Sequence, residues 1–186
     1  PLQSGPIPGY VRGALRALAD RDETVNPGDV IMHNDAYAGA SHGPDVAFIV
    51  PVFHEDELIA FATTTAHHLD IGALTPGSCG IVDAIDAYAE GLQFKAIKVY
   101  DAGKKVVPVW HLLRDNIRVS NLVVGDMEAQ IAAASFGAEQ LTNLIERYGQ
   151  PIFNAACAAV MDNAERLMRQ AVAFPAPNSV AIVEEW

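Results

Sequence analysis

Residues 46–53 and 58–67 constrain this chain more than any other stretch. The first is a mostly apolar run with β-branched and aromatic side chains, and only the polar tip His54-Glu55-Asp56-Glu57 separates it from the second. Two strand-length segments joined in this way read as an antiparallel hairpin. A hairpin sets the residue that opens its first strand beside the residue that closes its second, here Asp45 and His67. Because side chains alternate across a strand, Ile59, Phe61, Thr63, Thr65 and His67 share one face, while His68 points to the other.

The hairpin lies within a concentration of histidine. His33, His42, His54, His67 and His68 fall inside residues 33–70, and His111 alone lies outside. His42 and Asp45, separated by Gly43-Pro44, join His67 as two imidazoles and a carboxylate, a ligand set that leaves positions open for water or substrate. Gly43 relieves crowding where the backbone nears an ion, and Pro44 fixes one dihedral. Such donors suit a divalent first-row metal: manganese, iron or zinc. Asp35, His68 and Asp70 are the candidates for acid–base catalysis or for orienting a ligating imidazole. His33 beside a turn, His54 at the hairpin tip and His111 on a helical face read as structural.

The rest of the chain reads as support. Residues 10–21 place Val11, Ala14, Leu15 and Leu18 on one helical face and Arg12, Arg16 and Asp20 opposite. Val30-Ile31-Met32 and residues 94–100 read as strands, the latter carrying Lys95 and Lys98 as solvated charges, and residues 109–118 read as a helix. Residues 70–88 form a long irregular connection with Ser78 and Cys79 in a glycine-rich turn. Met127, Ile131, Ala134, Ala138, Leu141, Ile145 and Tyr148 recur at steps of four and three, a helical seam. Gly149 ends that helix and Pro151 opens another, running to about residue 172. The expected class is α+β: a β-rich region over 28–120, an antiparallel sheet with the metal-site hairpin at its edge, then a C-terminal αα-hairpin over 121–174.

A net charge of −11 argues against a nucleic-acid partner, which needs clustered Lys and Arg. No apolar run approaches a membrane span. The two cysteines, Cys79 and Cys157, suggest no disulfide framework, which fits a reducing, cytoplasmic setting. Phosphate-loop and dinucleotide fingerprints are missing, so any nucleotide is expected on another chain or segment. The chain opens on Pro1 and reads as an excised piece of a longer protein.

Several motifs, in order, resemble one family. They are Asn34-Asp35, Gly39-Ala40-Ser41-His42-Gly43-Pro44-Asp45, Val50-Pro51-Val52-Phe53, Ala66-His67-His68-Leu69-Asp70-Ile71-Gly72, Thr75-Pro76-Gly77-Ser78, Glu90-Gly91, Gly125-Asp126 and Glu146-Arg147-Tyr148-Gly149. Over residues 28–150 the chain is similar to the hydantoinase B/oxoprolinase family, which includes N-methylhydantoinase B subunits, 5-oxoprolinases and the α-type subunits of acetone and acetophenone carboxylases. The resemblance implies the catalytic subunit of a hetero-oligomer. A hydantoinase A-like ATPase partner would bind ATP and phosphorylate an amide or enolate oxygen of a small cyclic amide or other carbonyl substrate. In the acetone carboxylases manganese sits on His-x-x-Asp and a later His; the matching positions are His42, Asp45 and His67, which favours manganese. Many members carry Pro where this chain has Ala36, a departure in the loop before the ligands. The motifs do not separate amide hydrolysis from ketone carboxylation, which stands as the alternative. An iron-dependent oxygenase and a non-catalytic assembly module are the more distant readings.

Overall fold

The computed structural model describes residues 5–75 and 85–173. In chain order the elements are α1 (Ile7–Ala19), β1 (Val30–His33), β2 (Asp45–His54), β3 (Glu57–His67), β4 (Ile97–Asp101), β5 (Lys104–Lys105), α2 (Val107–Asn116), α3 (Ser120–Tyr148) and α4 (Gln150–Val172). The sheet runs β3-β2-β1-β4-β5, antiparallel throughout. The class is therefore α+β, as expected, with the hairpin β2–β3 at one edge.

The hairpin's register runs from Asp45 opposite His67 to His54 opposite Glu57, with one irregularity at Val52/Phe53. Its tip is a two-residue turn in which Glu55 and Asp56 both take positive φ, 48° and 64°, the backbone hand that matches the twist of the strands. Position in the sheet explains the two strand patterns. On one face Val46, Phe48 and Val50 join Val30 and Met32 against Trp110, Leu113, Val123, Met127 and Ile131 of α2 and α3. On the other, Ile31 and Ile49 pack on Ala14, Ala17 and Leu18 of α1. Covered on both faces, β2 is buried at its first eight positions, whereas β3, at the edge of the sheet, is mostly half-buried.

The chain divides into two compact units, Pro1–Thr142 and Asn143–Trp186. α1 belongs to the first and is integral to the sheet, so the β-rich region needs a helix that precedes residue 28. In the second unit, Gly149 (φ +83°) ends α3 and Pro151 lies in the first turn of α4, the expected hairpin connection; no described residue of α4 is buried. Among the described residues no helix is long and apolar enough to cross a membrane.

Two local expectations change. The strand expected at 94–100 begins at Ile97, because Phe94 and Ala96 spend their N–H groups on the Asn34 and His33 side chains and Ala96 turns to φ +52°. Lys98 is not a solvated charge: its side chain is 15% exposed and its ammonium lies 2.9 Å from both the buried Asp29 and Asp101. The turn containing Ser78 and Cys79 lies outside the described residues.

Candidate metal centre

The open end of the hairpin brings the proposed ligands together. Asp45 Oδ1 is 3.2 Å from His42 Nε2 and 3.0 Å from His67 Nδ1, and the two imidazole nitrogens are 3.2 Å apart. These three donor atoms form a nearly equilateral triangle. Two ligands each about 2.1 Å from a common ion and at right angles to one another are separated by about 3.0 Å. The triangle therefore fits one face of a coordination sphere. The imidazoles stack, with ring centroids 5.0 Å apart. Their side chains are 40% and 38% exposed while that of Asp45 is 6% exposed, so the carboxylate forms the floor and the histidines the rim.

Four side chains fix that floor. Ser41 Oγ donates to Asp45 Oδ2 at 2.6 Å, leaving Oδ1 for the histidines. The Tyr10 hydroxyl, carried on α1, accepts from the Ser41 N–H at 3.0 Å, lies 2.6 Å from Ser41 Oγ and is 3.2 Å from the Asp45 carbonyl. With the Ser41 proton committed to Asp45, the Tyr10 hydroxyl proton is shared between Ser41 Oγ and the Asp45 carbonyl oxygen. On the other flank, Asn34 is 1% exposed and saturated: its amide donates to the carbonyls of Gly43 and Leu92, and its oxygen accepts from Phe94 N–H. Glu90 accepts from Gly43 N–H at 3.2 Å. Burial by itself would raise the Asp45 carboxyl, but the Ser41 hydrogen bond and the neighbouring His42 and His67 outweigh it and hold it below the usual carboxylate range.

The proposed acid–base groups lie elsewhere. Asp35 accepts from Tyr37 N–H, capping a short 3₁₀ turn, and faces Lys95 at 3.6 Å. His68 points to the opposite face of β3, as alternation requires, where Nε2 meets Gln130 Oε1 at 2.7 Å while the same amide donates to the Val46 carbonyl. Burial, the largest influence, lowers the pKa of His68 against the opposing pull of the Gln130 hydrogen bond. Asp70 is 2% exposed and accepts from Gly72 N–H, Arg118 N–H and the Arg118 guanidinium. Its carboxylate is committed to that anchor. His54 sits at the hairpin tip and His111 is exposed on α2. Tyr10, Asn34, Ser41, Glu90 and Gln130 hold the site although sequence reading gave none of them a role.

His33 is buried and structural. Its Nδ1 accepts from Ala96 N–H, which leaves the proton on Nε2 for the Ala38 carbonyl, and its ring meets Tyr10 edge-on. Burial lowers its pKa from the ordinary 6.5, overriding the Ala38 carbonyl and the Asp35 charge. Since the folded state resists protonation, this contribution to stability is complete above the unfolded value and is lost as pH falls through the folded one. The urea midpoint should accordingly drop on acidification from about pH 7.5 to about pH 5, and less steeply in His33→Leu; equal slopes would show that His33 is not the group responsible.

In sequence and in fold the chain is similar to known proteins. The family model described as Hydantoinase B/oxoprolinase covers residues 1–184, and the chain belongs to this family. It is 64% identical over 172 residues to the "Putative D-/L-hydantoinase" B subunit of Pseudomonas sp. strain NS671, covering 92% of this chain and 29% of that protein. It is 37% identical to the β subunit of the Pseudomonas jessenii caprolactamase, over 90% of this chain and 29% of the relative. The crystal structure of the ATP-dependent caprolactamase from Pseudomonas jessenii superposes with a TM-score of 0.77 at 33% identity, over 95% of this chain and 31% of that one. A nucleotide-free acetone carboxylase shares the fold, with a TM-score of 0.69 at 22% identity over 76% of this chain and 19% of that one. The chain thus spans under a third of the length of these relatives.

Proposed function

We propose that His42, Asp45 and His67 hold a divalent metal ion, manganese in preference to iron or zinc. The chain would be part of the catalytic subunit of an ATP-dependent enzyme that hydrolyses cyclic amides of the hydantoin or 5-oxoproline type. In this reading it works in a hetero-oligomer with a hydantoinase A-like ATPase partner, in the cytoplasm. The observation that carries the proposal is the triangle of two imidazole nitrogens and one carboxylate oxygen with edges of 3.0–3.2 Å. Relatives above 30% identity bear the names hydantoinase, caprolactamase and 5-oxoprolinase, which favours amide chemistry over ketone carboxylation.

When bound, the ion supplies Lewis acidity toward a carbonyl oxygen. The chain's own residues supply the setting. Asp45 contributes the negative charge, and Ser41 fixes which carboxylate oxygen faces the ion. Asp35, His68 and Asp70 act in this reading through position: Asp35 shapes the turn before the ligand loop, His68 ties the end of β3 to α3, and Asp70 anchors the segment after it.

The test is ATP turnover by the full-length protein with its ATPase partner, offered hydantoins, 5-oxoproline, or acetone with bicarbonate. Turnover is expected with a cyclic amide, lost on chelation and restored by manganese. Turnover with acetone and bicarbonate alone would transfer the protein to the carboxylases, and turnover with none of these would reject both assignments.

A further inference from the structure

On the α1 side of the sheet a second feature stands apart from the metal ligands. A cavity of about 330 Å³ opens between α1 and the turn after Asp35. Its floor is backbone packed on backbone. A Cβ at Gly13 would fall 1.4 Å from the Ala38 carbonyl oxygen, and one at Gly39 would fall 2.3 Å from that of Gly9. These glycines line the cavity, and around them stand Arg12, Arg16 and Lys95, with Asp20 as the one carboxylate in the lining.

Three of the chain's twelve basic residues thus gather at one cavity, in a protein with twenty-three acidic ones. Arg12 and Arg16 are one turn apart on α1, a spacing at which like charges oppose helix formation. Among the described residues neither forms an ion pair or hydrogen bond, whereas Arg21, Arg114, Arg118, Arg166 and Arg169 each have partners. Lys95 has only the 3.6 Å approach of Asp35. Among the described residues, the first turn of α1 also carries no acidic side chain and no capping side chain to offset the partial positive charge of its N–H groups. A structured floor, two unpartnered guanidinium forks and an ammonium group describe a receptor for an oxyanion.

Phosphate matches this set better than a carboxylate, because each planar guanidinium engages two oxygens and phosphate offers enough for both arginines and the lysine. The volume falls at the lower end of small-molecule sites, larger than a bare anion needs. Tyr37, 89% exposed at the rim, offers an aromatic surface to an attached organic group. We propose that this cavity binds a small phosphomonoester, its phosphate held by Arg12, Arg16 and Lys95 and its organic part against Tyr37. The inference uses no metal ligand and is independent of the reaction assigned above.

Calorimetric titration of the full-length protein with phenyl phosphate and with inorganic phosphate tests it, with a chelator present to keep the metal centre empty. Phenyl phosphate should bind more tightly than inorganic phosphate and should weaken with added salt. Arg12→Gln and Arg16→Gln should each weaken it about tenfold, the double variant about a hundredfold, and Arg166→Gln on α4 not at all. Arg12→Lys, which keeps the charge and loses the fork, should fall between. Thermal midpoints of these exposed-site variants check that each is folded. Absence of binding by the wild type, or binding unchanged in the double variant, would overturn the site; equal affinity for the two phosphates would overturn the ester.

Discussion

Replacing Asp45 by asparagine should strip the metal from the full-length protein. The substitution keeps the shape of a side chain that is almost fully buried and removes its charge. Both oxygens of Asp45 are in use, Oδ2 by Ser41 and Oδ1 by the two histidines, so asparagine retains an acceptor for Ser41 but presents a neutral group to the ion. Removing one partner from a desolvated charge pair costs about 4 kcal/mol, or about a thousandfold in metal affinity. Folding should suffer far less, by about 1 kcal/mol for one weakened hydrogen bond. Elemental analysis and a thermal melt on the same sample separate the two effects. His42→Ala and His67→Ala should lose metal as well, while His54→Ala and His111→Ala keep it. If metal content stayed at the wild-type level in Asp45→Asn and His67→Ala, these residues would not be the ligands.

The grouping of His42, Asp45 and His67 at one end of the hairpin was within reach of the sequence because it depends on short-range rules. The polar tip between two strand-length segments implied a hairpin; the register then placed Asp45 opposite His67, and alternation sent His68 to the other face. What the sequence did not disclose are the groups that hold these three side chains still. Tyr10 reaches Ser41 across thirty-one residues, Asn34 reaches Leu92 across fifty-eight, and His68 meets Gln130 across sixty-two. No local period encodes such pairs; the first and last exist only once α1 and α3 have packed on the sheet, and the Asn34 pair only once the segment before β4 lies beside the end of β1. Lys98 misled for the same reason, since its partner Asp29 is distant in sequence and a lysine on a strand is ordinarily solvated. Asp70 read as chemistry because carboxylates near histidines often are, and Arg118, forty-eight residues on, was invisible as its counter-ion.

Gly13→Ala should damage both fold and metal site although Gly13 touches no ligand. Alanine is favoured over glycine inside a helix by about 1 kcal/mol, so on propensity alone α1 would gain. The new Cβ, however, would lie 1.4 Å from the Ala38 carbonyl oxygen. The obstacle is backbone and cannot rotate aside; either α1 lifts or the turn after Asp35 opens. An overpacking cost of about 3 kcal/mol should therefore win and lower the urea midpoint. Tyr10 rides on the same helix, so its hydroxyl should lose its place beside Ser41, and Ser41 its hold on Asp45. Metal affinity should fall about ten- to a hundredfold, the scale for losing a group that orients a ligand. Gly125→Ala on α3 is the matched control: nothing lies within 4 Å of a Cβ there, and it should stabilise by about 1 kcal/mol. If Gly13→Ala followed Gly125→Ala in sign and retained wild-type metal affinity, the close contact between α1 and the Ala38 turn would not be what holds the ligands in place.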